Sequence, residues 1–160
     1  MNPIERSIES LDWMTIALVL SLVILSLSKY LFQTKFLNFL VLPFNNKYIV
    51  LSNKKGRLFH WFHIFITFFQ FINLALFIFL NKKLLGSPTS EEDSIQSFLT
   101  ILAFIILFQL IKILVQWFKG FVFDTTEMIT DLIYEKITYF NHSSLVMFIS
   151  NVILIYVLKD

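Results

Sequence analysis

An all-α, polytopic membrane fold of about four transmembrane helices, with added interfacial and amphipathic helices, is what this sequence predicts, and three observations carry it. Of its 160 residues 57% are hydrophobic and only 15% charged, with a mean hydropathy of +0.74, well outside soluble domains. The apolar residues come in runs of about twenty, the length that crosses roughly 30 Å of hydrocarbon at helical rise. Twenty Phe against three Gly and three Pro make those runs bulky and seldom broken, and a soluble core of this size cannot hide so much apolar surface. Only helices and closed barrels satisfy their backbone in lipid, and runs of this length select helices.

Residues 1–15 carry Glu5, Arg6, Glu9 and Asp12, the wrong charge sign for the start of a signal peptide, and no small-residue cleavage site follows; the segment is expected to remain on the mature protein. The first span, 13–32, is interrupted only by Thr, Ser and Lys29. Residues 34–51 are apolar but broken by Asn38, Pro43, Asn45, Asn46 and Lys47, which reads as an interfacial or re-entrant piece with a turn at 43–46. The second span covers 58–80. A connector over 81–97 holds Gly86, Pro88 and the acidic run Glu91, Glu92, Asp93, with Ser94 placed to help start the next helix. The third span covers 98–118. A fourth, 140–158, has an apolar run over 145–158 that is short for a crossing unless extended back through Asn141 and His142, so it reads as a span or a re-entrant piece. No internal repeat is present, and 1–160 forms one transmembrane domain.

Net charge is +2, and the basic residues lie between hydrophobic runs instead of along an aromatic-studded stripe, which excludes a nucleic-acid partner. Without cysteine there is no disulfide framework, thiolate nucleophile or Cys-type metal site. Lys29, Lys35, Lys47, Lys54, Lys55 and Arg57 sit at or after the end of the first span, and Lys112, Lys119 and Lys136 at or after the end of the third, whereas Arg6, Lys82, Lys83 and Lys159 lie on the other side. The positive-inside rule then puts the N-terminus outside.

In the second span His60, His63, Thr67, Gln70 and Asn73 recur at helical spacing on one side. Two imidazoles one turn apart can share a metal or pass a proton. Packing and interfacial anchoring is the stronger reading, since Trp61 lies between the two His and no carboxylate follows at ligand spacing; no metal and no cofactor are expected. Gln109, Lys112 and Gln116 share a face of the third span with Lys119; Lys112 can bind an anion, but a lysine this near the interface more often snorkels to headgroups. Ala17 and Ser21, with Ser28 further along the same face, and Asn151 in the last run read as helix-packing positions.

Asp124, Glu127, Asp131 and Glu135, with Thr138 continuing the line, read as one narrow acidic edge of an amphipathic helix over 121–138 lying along the membrane. That edge is either a solvated face or a contact surface, for the basic segment 47–57 or for a basic partner protein. Nothing in it resembles a calcium-binding or phosphotransfer motif.

The order Leu11-Asp12-Trp13, Lys29-Tyr30-Leu31-Phe32, Phe36 and Leu42-Pro43-Phe44-Asn45-Asn46-Lys47-Tyr48 resembles a Bacteroidetes family of integral membrane proteins that share a domain of unknown function. The resemblance continues through Lys119-Gly120-Phe121 and Tyr139-Phe140-Asn141. It implies an inner-membrane location in a double-membraned bacterium and supplies no catalytic residues. Family members tend to be longer, with further spans beyond residue 160, so a shortened family member is one expectation. The leading functional expectation is a non-catalytic component that, besides the bilayer, binds other membrane or envelope proteins or itself. The alternative is a small transporter or channel subunit in which the stripe from His60 to Asn73 faces Gln109 and Lys112 across a polar pathway. A metal-dependent membrane enzyme using His60, His63 and Asp124 or Glu127 has the least support.

Overall fold

A computed structural model describes residues 12–42, 61–85 and 91–156. Among them the chain is helical, with α1 at Asp12–Leu31, α2 at Gln33–Leu40, α3 at Trp61–Leu84, α4 at Glu91–Val122 and α5 at Thr126–Tyr156. All but the eight-residue α2 are long and apolar enough to cross a membrane, and the protein is an all-α integral membrane protein.

Ring contacts fix the direction of each helix. Trp13, at the start of α1, packs on Phe79 near the end of α3 and on Phe98 near the start of α4, with centroids 5.2 and 5.3 Å apart. The hydroxyls of Thr15 and Tyr156 lie 2.9 Å apart, which brings the end of α5 to the same level. Hence α3 and α5 run parallel to each other and antiparallel to α1 and α4. Exposed Tyr30, Trp61 and Trp117 mark the opposite end, where amphipathic rings favour the face of a bilayer.

The helices differ in how far the chain covers them. Along the apolar stretch of α3 44% of residues are buried, against 6% in α4, so α3 is the central helix and α4 presents most of its surface to lipid. Two apolar clusters surround α3. Met14, Leu18, Leu76, Phe79 and Ile155 pack together at the Trp13 end, and Phe36, Phe39, Leu42, Phe62 and Ile66 at the Trp61 end. The second cluster explains α2: the backbone breaks at Phe32, and α2 folds back so that Phe36 and Phe39 close over Phe62. Residues 34–42 of the expected interfacial stretch therefore form a short helix and turn packed on the bundle, while 43–51 lies outside the described residues.

The last third of the chain departs from its sequence pattern. The acidic spacing predicts an amphipathic helix over 121–138 set apart from a last span over 140–158; instead α5 is one 31-residue helix. No Gly or Pro interrupts it, and the hydroxyls of the polar run at its middle are satisfied within the helix, Thr138, Ser143 and Ser144 donating to the carbonyls of Tyr134, Phe140 and Asn141. At about 46 Å, α5 exceeds the roughly 30 Å of hydrocarbon by some ten residues. The 32-residue α4 does the same, so the α4–α5 hairpin extends past Trp117.

A tight turn joins the two helices. Thr125 N–H reaches the Gly120 carbonyl at 2.9 Å while Asp124 adopts a left-handed φ of 52°, the geometry of a Schellman stop. Gly120 is buried where α5 crosses: a Cβ there would stand 3.2 Å from Ile129 Cβ and 3.3 Å from the Thr126 backbone. Glycine at this position is what lets the helices approach so closely.

Candidate functional site

The polar stripe of α3 faces α5. His63 Nε2 and Tyr134 Oη share a hydrogen bond of 2.6 Å, with the imidazole tautomer setting which atom donates. One turn further along α3 and two along α5, Asn141 Nδ2 donates to Thr67 Oγ1 at 2.9 Å. Deeper still, Asn151 Nδ2 donates to the Asn73 carbonyl at 2.9 Å, and Asn73 Nδ2 to the Phe69 carbonyl at 2.8 Å. Along α3, Thr67, Gln70 and Asn73 fall between the residues of the two apolar clusters, so this part of the seam occupies the middle of the membrane-spanning layer, while His63 lies within the cluster at the Trp61 end.

Not every group in the seam is satisfied. Gln70 is fully buried, yet neither Nε2 nor Oε1 has a hydrogen-bond partner, and Asn141 Oδ1 and Asn151 Oδ1 are likewise unpaired. An unsatisfied buried amide costs about 1–3 kcal/mol. Hydrogen bonds between membrane helices contribute only about 0.6 kcal/mol each on average, so the bonds the seam makes do not by themselves offset the amide groups it leaves unpaired. These hydrogen bonds join neutral donors and acceptors, with His63 and Tyr134 at the Trp61 end. Among the described residues no three His, Asp or Glu side chains converge as a metal site, and His60 lies outside them.

Gln109, Lys112 and Gln116 do not meet the α3 stripe. They line a groove of about 210 Å³ between α4 and α5, opposite Lys136 and over an apolar floor that includes Ile133, Ile137 and Phe140. The pathway expected between the second and third spans is thus two separate features, each using a different side of α5.

The carboxylates occupy a third location. Asp124 stands in the turn, and Glu127, Asp131 and Glu135 follow on the exposed side of α5, beside exposed Phe121, Phe123 and Met128. Thr138 does not continue that line; it is buried on the inward side. The basic segment 47–57, expected to pair with the acidic edge, lies outside the described residues. Ala17, Ser21 and Ser28 are buried within the bundle, where α1 packs chiefly on α3, so this small-residue face is occupied by the chain itself.

A family model described as a domain of unknown function, DUF4271, matches residues 14–159. The chain belongs to this family. The DUF4271 match runs from the start of α1 to past the end of α5, so seam, groove and hairpin all lie inside the family's domain. No curated protein and no solved structure matches the chain.

Tyr134, Asn141 and Ser144 are the seam members that sequence reasoning missed. Their signal is present: Tyr134, Thr138, Asn141, Ser144 and Asn151 follow one helical face. Dividing the segment at residue 138 cut that face in two.

Proposed function

We propose that this DUF4271 chain is a non-catalytic component of a bacterial inner membrane, N-terminus outside, that binds other membrane or envelope proteins through its α4–α5 hairpin. The observation that carries the reading is the exposed acidic edge of Asp124, Glu127, Asp131 and Glu135 at a hairpin that outruns the hydrocarbon. Basic residues predominate after the first and third spans, which supports a cytoplasmic hairpin. There the anionic headgroups repel these carboxylates, whereas a basic protein segment is attracted, and Phe121 and Phe123 add apolar contact.

Site-specific photocrosslinking tests it. A crosslinker at Glu127 in native membranes is expected to capture one protein in near-equal amount, and the capture to be lost when Asp131 and Glu135 are reversed to Lys. Capture of lipid alone, or a product indifferent to the reversal, would overturn the proposal. A reporter fused at residue 1 that behaves as cytoplasmic would overturn the orientation.

A second reading, a small transporter or channel subunit, draws on one observation: the unpaired amide of Gln70 in mid-membrane, which bound water or a polar solute would satisfy. Solvent labelling of cysteines placed at Thr67 and Gln70 supports a pathway, and full protection supports a packed seam.

A further inference from the structure

The groove between α4 and α5 gathers like charge where like charge is unfavourable. Lys112 comes from one wall and Lys136 from the other, Gln109 and Gln116 stand beside them, and no carboxylate lines the space. Among the described residues neither lysine forms an ion pair, although Asp131 and Glu135 lie on the same helix as Lys136. Two ammonium groups held around one cleft repel each other unless an anion lies between them. The two carboxamides add further donors.

The depth of the groove says which anion fits. Lys112 lies five residues before Trp117, whose exposed ring marks the membrane face, so its ammonium is within snorkelling reach of the headgroup layer. Below it the floor is apolar, and Leu110 and Leu114 on the flank of α4 are exposed to lipid. A cationic mouth over an apolar trough beside open hydrocarbon suits an amphiphile better than a soluble ion. The geometry points to an anionic-lipid site here, in which Lys112 and Lys136 hold the lipid phosphate and the acyl chains lie along the apolar wall of α4.

Native mass spectrometry of the full chain in mild detergent, titrated with phosphatidylglycerol or phosphatidylcholine, tests this. Wild type is expected to retain phosphatidylglycerol at least about tenfold better. Lys112→Gln and Lys136→Gln are each expected to weaken it by roughly fivefold, and the pair by roughly 25-fold, as about one charge contact is lost per lysine. Lys82→Gln, at the other membrane face, is expected to change nothing. The Lys112→Arg, Lys136→Arg pair keeps the charge and is expected to keep the lipid, which separates loss of the site from loss of the fold. Wild-type retention by the double Gln variant would overturn the proposal, as would loss of the preference in the Arg pair. Displacement of the lipid by millimolar inorganic phosphate would assign the groove to a soluble anion and overturn the lipid source.

Discussion

Along its length α5 passes through two surroundings that sort its side chains in opposite ways. Between Thr138 and Asn151 one polar face, Thr138, Asn141, Ser144 and Asn151, turns inward and is fully or almost fully buried, while Tyr139, Val146, Ile149 and, just beyond, Ile153 face out. Between Glu127 and Glu135 the order reverses: the carboxylates are exposed, and Ile133 and Tyr134 are the buried residues. In hydrocarbon a polar side chain is stabilised only by another part of the chain, whereas in water it needs nothing. The switch near residue 137 therefore marks where α5 leaves the lipid, and each region has its own way to fail.

The hairpin is expected to be the more fragile of the two. At Gly120 a Cβ would stand tighter than most packed contacts against Ile129 and the Thr126 backbone, so a branched side chain forces the two helices apart there. Gly120→Val is expected to destabilise by about 3 kcal/mol, measured as the midpoint shift of an SDS titration in bicelles. An unshifted midpoint would mean that the two helices do not approach this closely. Within the seam, Asn151→Leu removes the donor to the Asn73 carbonyl and its longer contact to Asn73 Oδ1, and a loss of about 1 kcal/mol is expected by the same titration. A loss as large as that of Gly120→Val would show that the seam, not the turn, holds α5 in place.

Legibility in the sequence follows the same division. Three crossings are visible because twenty-residue apolar runs leave one way to satisfy a backbone in lipid, whereas the fourth, with an apolar run of only 145–158, reads as a span or a re-entrant piece; the α3 stripe is visible because polar residues at helical spacing stand out against Phe and Ile. The α5 half of the seam is hidden because its polar residues adjoin the carboxylates of the hairpin, so two faces of one helix look like one polar segment. The turn is hidden for a local reason. Asp124 takes the left-handed position that Gly usually fills at a helix stop, and the informative glycine lies four residues earlier, inside α4. The groove depends on which neighbour each helix chooses, and spacing within a single span does not encode that.

Gln70 decides what the seam contains. In a dry seam its unpaired amide is a cost, and Gln70→Leu removes it at similar volume, so the variant is expected to gain about 1 kcal/mol. If bound water already satisfies Gln70, the same change destabilises by a similar amount, and labelling of a cysteine at position 70 should accompany it. The sign of one midpoint shift thus separates packed interface from hydrated pathway.

The smallest effect is expected at the hairpin's turn. A non-glycine residue at positive φ is strained, mildly so for Asp, whose short side chain tolerates the left-handed region. Asp124→Gly relieves that strain but leaves a freer unfolded chain, and the net gain is expected to be about 0.5 kcal/mol. Asp124→Ala keeps the strain without the side chain's local tolerance and is expected to lose a similar amount. Both variants remove the same carboxylate, so a purely electrostatic role for Asp124 would shift their midpoints equally. Opposite shifts would show that the backbone selects the residue at this position, leaving Glu127, Asp131 and Glu135 as the carboxylates on which the proposed partner contact rests.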